Sequence, residues 1–370
     1  MTTLTCFDDW IDLFQVWQKD IDLDPAIVED YRFDAKYGDL RTPEIEFGDY
    51  AGQRKWEKVL EVPDQRIRDG LEHLIVYQGD TEFASVEQQK HLISTAPTDY
   101  DLDALVRVMR EEMRHGWQMS HILMNYFGHS GKIEARKLLE RRAFTNSRLL
   151  GSFNEVVENW LDFFVYTEFI DRDGKFQLQM LSCSSFAPLA RSMGPMLKEE
   201  SFHLGTGHNG LRRIIEAGKI PVPIIQKYFY KWIPTAFDLF GVDHSSSAHW
   251  AYVWGLKGRF DEATAEAPAD KENLNETARN MYITEIGKLV DSLNQQIPDG
   301  EPKLRSPHLR FQRKIGDDTD RRFNVDGESL DPEQYPSYLR ETLPGPEDRK
   351  ILEGILRGKE WISPKGKTPI

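Results

Sequence analysis

Arg110-Glu111-Glu112-Met113-Arg114-His115 and Lys198-Glu199-Glu200-Ser201-Phe202-His203 are near-copies of one another: a basic residue, two glutamates, two further residues and a histidine. On an α-helix, residues three apart lie on one face. Glu112 with His115, and Glu200 with His203, can therefore each aim a carboxylate and an imidazole at a common point. One such pair carries little weight, because 61 acidic residues and ten histidines should produce on the order of one by chance. None of the other histidines has a glutamate three residues before it. Two pairs with the same lead-in point to an internal duplication.

A duplication should carry further ligands at matching positions. Glu82 precedes Glu112 by 30 residues and Asp171 precedes Glu200 by 29. That distance is a helix, a turn and most of a second helix. The chain thus spells carboxylate, turn, Glu-x-x-His, twice over. In ferritin-like bundles two facing helices each supply Glu-x-x-His and two others each supply one carboxylate, and the set holds two metal ions. The expected fold is all-α: a ferritin-like four-helix bundle with additional helices and an irregular C-terminal extension. The candidate ligands are Glu82, Glu112, His115, Asp171, Glu200 and His203. Four carboxylates and two imidazoles form a hard set that suits iron or manganese better than zinc. Their four charges balance two divalent ions, which lowers the cost of burying both. Glu111 and Glu199, four residues before their histidines, are rivals for the ligand role; the spacing favours them as groups that orient the imidazoles.

The 370 residues suffice for a large core in one domain or two. A formal charge of −14 argues against non-specific nucleic acid or an anionic membrane surface as partner. No stretch reaches the length of a transmembrane helix. Met1-Thr2-Thr3-Leu4 does not open a signal peptide. Cys6 and Cys183 are the only cysteines, too few for an iron–sulfur cluster or a disulfide framework. The expected compartment is the cytoplasm.

Three segments are expected: an irregular N-terminal wrap over 1–60 with one short helix, a bundle over 61–265, and a C-terminal helix and tail over 266–370 packed on the bundle. Within the bundle, a helix from about 66 leads to Glu82, with Gly79-Asp80 as a break or π-bulge. Pro97 ends this segment, and Thr98 caps the helix that carries Glu112 and His115. A third helix over roughly 150–170 reaches Asp171 at its end, where Asp173-Gly174 supply a turn. A fourth, over roughly 178–206, ends at Gly205 and should be kinked by Pro195. Shorter helices are expected over 209–218, 222–240 and 245–257, and one over 277–296.

Gly205-Thr206-Gly207-His208-Asn209-Gly210 spells the dinucleotide fingerprint. That motif needs a preceding strand; in an all-α context it reads as a helix end and loop. Lys257-Gly258-Arg259, with Arg310, Arg313 and Lys314, are candidates for receiving phosphates such as those of coenzyme A.

Gln78-Gly79-Asp80-Thr81-Glu82, Phe169-Ile170-Asp171-Arg172-Asp173-Gly174-Lys175-Phe176, Pro188-Leu189-Ala190-Arg191, Gly255-Leu256-Lys257-Gly258-Arg259-Phe260 and Arg313-Lys314-Ile315-Gly316 closely resemble the oxygenase components of benzoyl-CoA epoxidases over roughly 65–320. The catalytic subunits of phenylacetyl-CoA epoxidases are more distant relatives. The resemblance implies that the same six residues bind two iron ions. It further implies that O2 is the co-substrate, an aromatic acyl-CoA the substrate, and a ring epoxide the product. Electrons would come from NADPH through a separate flavin and iron–sulfur reductase. The first 60 residues match the pattern poorly, and Glu168 places an acid near the centre where an apolar residue is expected. The competing readings are a di-iron hydroxylase or N-oxygenase acting on another aromatic acid or carrier-bound substrate, and a non-catalytic scaffold subunit.

Overall fold

A computed structural model describes residues 4–259 and 274–365. Among these residues the regular structure is helical, with only isolated β-bridges. Four long helices form the bundle: α2 (Gln65–Gln89), α3 (Asp99–Tyr126), α5 (Trp160–Leu181) and α6 (Ala187–Ala217). They pack as two hairpins, α2 on α3 and α5 on α6. Around them lie α1 (Phe7–Asp20), α4 (Gly128–Glu140), α7 (Val222–Leu239), α8 (Ser246–Val253), α9 (Leu274–Asn294), α10 (Tyr335–Thr342) and α11 (Pro346–Leu356). The expected boundary at 265/266 lies outside the described residues.

Local signals set several helix ends. The Thr98 hydroxyl accepts the Asp101 N–H at the start of α3, and the Asn159 side chain does the same for Asp162 at the start of α5. Gly218, with φ +61°, closes α6 in the left-handed conformation.

Elsewhere tertiary packing overrides the local signal. Helix α2 runs unbroken through Gly79 and Asp80. An added Cβ at Gly79 would stand 2.8 Å from Leu138 Cδ1, so this glycine makes room for α4. Asp80 is buried and accepts bonds from Arg148 and the Leu149 amide. Helix α5 starts ten residues later than expected and continues past Asp173-Gly174, placing Asp171 in mid-helix. The glycine-rich sequence 205–210 is interior to α6. There a Cβ on Gly207 would lie 2.6 Å from the Glu168 amide nitrogen, and one on Gly210 would collide with the Phe164 ring. The motif is a close-packing face for α5, with no nucleotide loop geometry.

Pro195 does not end α6 either. Proline lacks the N–H that would bond the carbonyl four residues earlier. That carbonyl, on Arg191, instead accepts the Gly38 N–H at 2.8 Å. The N-terminal segment thus docks on the proline site. It is also more ordered than expected. Trp10, Phe14 and Trp17 on α1 are buried against Phe83 and Trp117, and the Trp17 indole donates to Glu87 at 3.0 Å. At the other end, Trp361 and Ile362 are buried and Arg213 donates to the Ser363 carbonyl, tying the tail to α6.

The first and last glycines of the 205–210 motif make opposite predictions. Gly210→Ala should cost about 1–3 kcal/mol of unfolding free energy in a denaturant titration, because the Phe164 ring must move. Gly205→Ala meets nothing within 4 Å and should gain about 0.5–1 kcal/mol from lower unfolded-state entropy. Equal effects at both positions would refute the packing role.

Candidate metal centre

The two hairpins bring the duplicated residues face to face. His115 Nδ1 lies 3.2 Å from Glu82 Oε2 and 3.5 Å from Glu200 Oε1. His203 Nδ1 lies 3.3 Å from Glu200 Oε2 and 3.5 Å from Glu112 Oε1. The imidazole centroids are 6.0 Å apart, and both rings are fully buried. Two three-residue clusters result: Glu82 with His115 and Glu200, and Glu112 with Glu200 and His203. Glu200 belongs to both and stands between them.

Ligands about 2.1 Å from one ion and at right angles are about 3 Å from each other, so these separations suit a pair of cations. Asp171 is outside both close clusters. It is buried on the same side, its charge acts on Glu112, and the Glu200 charge acts on it. Asp171 Oδ2 is buried without a hydrogen-bond partner among the described residues, and Glu200 Oε2 and His203 Nδ1 have no closer partner than their 3.3 Å contact with each other. Orphaned donors and acceptors of this kind are rare and need a reason. Cations held among these residues would supply one.

The outward nitrogens explain Glu111 and Glu199. His115 Nε2 pairs with Glu199 at 2.9 Å, and His203 Nε2 pairs with Glu111 at 3.1 Å. Each histidine is therefore oriented by the extra glutamate of the opposite repeat. These acids are held in turn: Glu199 by Arg114 and Lys36, Glu111 by Arg107. An Nε2–H donated to each glutamate fixes the ring with Nδ1 toward the centre. Glu82 is steadied by the Gln78 amide at 2.5 Å. Glu168, by contrast, stays out of the cluster. It faces His208 and Arg172, and Arg172 continues to Glu285 on α9.

The charges are unbalanced without cations. Glu112 sits well above the ordinary carboxylate range because burial strips its hydration and the Glu82 charge opposes it. Burial and then Glu200 do the same to Asp171. For His203, burial works against the imidazolium, but the Glu200 charge and the Glu111 bond outweigh it and carry its pKa well up.

A cavity of about 750 Å³ opens on the centre. Glu82, Glu112, Asp171 and Glu200 line it, while the two imidazoles lie behind them. Its inner wall includes Phe153, Tyr166 and Ile170, and its outer part Arg66, His73 and Trp250. Tyr166 was not legible as a site residue. Its sequence neighbours form an apolar stripe, and only the packing shows its hydroxyl buried beside Glu112, Asp171 and Ser85. Lys257 lines the cavity as well, its pKa lowered to about 8 by burial. Arg259 does not: it is buried outside the cavity wall, so the expected Lys257–Arg259 pair is split. The second basic cluster is spent on ion pairs, Arg313 with Asp238 and Lys314 with Glu155.

Residues 57–310 match the family of phenylacetic acid catabolic proteins. The chain belongs to that family. It is 36% identical over 392 residues to benzoyl-CoA oxygenase component B of Aromatoleum evansii, spanning 91% of this chain and 82% of that one. This alignment reaches beyond the 65–320 stretch on which the motifs fall. The chain is also 23% identical over 254 residues to one of the subunits of 1,2-phenylacetyl-CoA epoxidase from Escherichia coli (strain K12), spanning 68% and 76% of the two chains.

Two outcomes follow from this geometry. Glu199→Gln and Glu111→Gln should each weaken iron affinity by roughly 10–100-fold, measured by competition with a chelator, while helicity is retained. Unchanged affinity in both would remove their orienting role. The raised carboxylate pKa values mean that protons occupy the centre when cations do not. Their share of stability is present at acid pH and is lost as pH rises through the folded pKa. Iron should displace those protons, so its affinity and the stability it adds should both grow as pH rises. A pH-independent iron affinity would contradict the proton inventory.

Proposed function

We propose that this chain is the oxygenase component of an aromatic acyl-CoA epoxidase, holding two iron ions on Glu82, Glu112, His115, Asp171, Glu200 and His203. The observation that carries this reading is that four carboxylates stand in the wall of a large cavity while both imidazoles are locked behind them. The relatives' names supply the substrate class: one is a benzoyl-CoA oxygenase component and the other belongs to a phenylacetyl-CoA epoxidase.

Bound ferrous ions would provide the electrons for O2 reduction, a redox step that side chains cannot supply. The overall reaction takes an aromatic ring, O2, two electrons and two protons to a ring epoxide and water. The resemblance to the benzoyl-CoA oxygenase components implies that the two electrons come from NADPH through a separate flavin and iron–sulfur reductase, and a separate electron donor accords with the two free cysteines and the helical glycine-rich motif of this chain. No described helix is long and apolar enough to cross a membrane, and the reaction belongs in the cytoplasm with its reductant. The chain's own residues bind and shield. Phe153, Ile170 and Tyr166 give the ring an apolar bed against the carboxylates, and these buried side chains limit water at that end of the cavity. Gln78 holds one oxygen of Glu82. Lys257 reaches the cavity as a donor to the coenzyme A arm.

Aerobic incubation with benzoyl-CoA, NADPH, a reductase and 18O2 should give a product with one labelled oxygen, from protein containing about two irons per chain. Glu112→Ala and His203→Ala should each abolish bound iron and O2 consumption. Glu112→Ala should not lower the stability of the iron-free fold, because it removes a buried acid that ionises only against burial and the Glu82 charge. Either variant retaining full iron and turnover would overturn the ligand assignment; a hydroxylated product without an epoxide would replace the reaction with ring hydroxylation.

A further inference from the structure

The outer end of the cavity carries an aromatic feature that the oxygen chemistry does not use. Trp250 on α8 lines the cavity, yet it is 41% exposed. Its ring stacks on Trp254 with centroids 5.0 Å apart and planes 24° from parallel. Trp254 is itself seated on α2: a Cβ at Gly70 would lie 3.2 Å from Trp254 Cζ3. The exposed ring therefore rests on a second ring that rests on a helix backbone. One face is held by Trp254, the His249 ring meets Trp250 at a steep angle with centroids 5.1 Å apart, and the rest of the indole is exposed beside the cavity. Arg66 lies one helical turn before Gly70 and lines the same end.

Helix α2 measures the distance from this platform to the centre. Its cavity-lining face runs from Arg66 and Gly70 past Leu74 and Gln78 to Glu82, with Asp69, His73, Tyr77 and Thr81 beside them. Gly70 is twelve residues before Glu82, about 18 Å at 1.5 Å per residue. A pantetheine arm has the chain atoms of a peptide of four to five residues, which reaches about 15 Å when extended. An aromatic ring at one end and a nucleotide at the other extend beyond that arm. With the ring at the carboxylates, the nucleotide falls at Trp250.

We propose that Trp250, backed by Trp254, is the stacking platform for the purine of the coenzyme A nucleotide, with Arg66 beside it for phosphate. This rests on the acyl-CoA reading above and assigns the far end of that substrate. A purine has a flat π-face that an indole can cover, and a base stacked on an aromatic side chain contributes enough for a clear change on alanine substitution. Arg66 already pairs with Asp64 at the surface, so phosphate would share an existing, solvated guanidinium.

The test compares two thioesters that differ only in the nucleotide: benzoyl-CoA and benzoyl-pantetheine. Dissociation constants are measured by tryptophan fluorescence on the iron-loaded chain and on Trp250→Ala and Trp250→Phe. The expected result is about a tenfold or greater loss of benzoyl-CoA affinity in Trp250→Ala, substantial recovery in Trp250→Phe, and an unchanged dissociation constant for benzoyl-pantetheine. Equal benzoyl-CoA affinity in wild type and Trp250→Ala overturns the platform while leaving the function intact. So does an equal loss for both thioesters, which would mark a change in the cavity itself. If wild type binds neither thioester, the platform falls together with the acyl-CoA reading.

Discussion

Two hydrogen bonds between hairpins, His115 to Glu199 and His203 to Glu111, are the constraint on which the arrangement of the bundle depends. Each takes its histidine from one repeat and its glutamate from the other, so they hold only when α3 and α6 share one register. A slip of a single residue would leave two buried imidazoles and two carboxylates without partners, at a cost of several kcal/mol. Arg114, Lys36 and Arg107 extend these bonds outward and help keep the acids ionised. The duplication visible in the sequence is thus used reciprocally. Neither half can orient its own histidine alone.

That register has to coexist with helices packed close enough for short side chains to meet. Gly207 and Gly210 let the backbone of α6 reach α5, and Gly79 lets α2 reach α4. Pro195 belongs to the same economy of contact. The carbonyl it leaves free is taken by Gly38, and two residues earlier Lys36 bonds both Gln118 and Glu199. The N-terminal segment therefore covers the outer side of the histidine pair. The opposite side, formed by α2 and α5 with α8, is left open as the cavity. Carboxylates face the cavity and imidazoles face the covered side, so the cluster has a reactive face and a supporting one.

Much of this was legible because helical spacing is a local property. The i, i+3 pairs at Glu112–His115 and Glu200–His203 needed only 3.6 residues per turn, and the Thr98 cap needed only its own hydroxyl. The errors share one cause. Asp173-Gly174, Gly79-Asp80 and Gly205–Gly210 are turn signals by propensity, worth about 1 kcal/mol per glycine, and a long buried helix face outweighs that easily. Likewise Arg259, Arg313 and Lys314 look free in a linear string, and their burial or pairing depends on residues far away in the chain.

By itself, the sequence determined the all-α class, the doubled Glu-x-x-His units and the hard character of the six proposed ligands, because these follow from residue type and helical period. Tertiary structure alone decided which glutamate orients which histidine, that Glu200 stands between the two clusters, that Glu168 points away, and that Tyr166, Lys257 and Trp250 share one cavity. Those facts rest on distances between helices, and no spacing along a single helix encodes them.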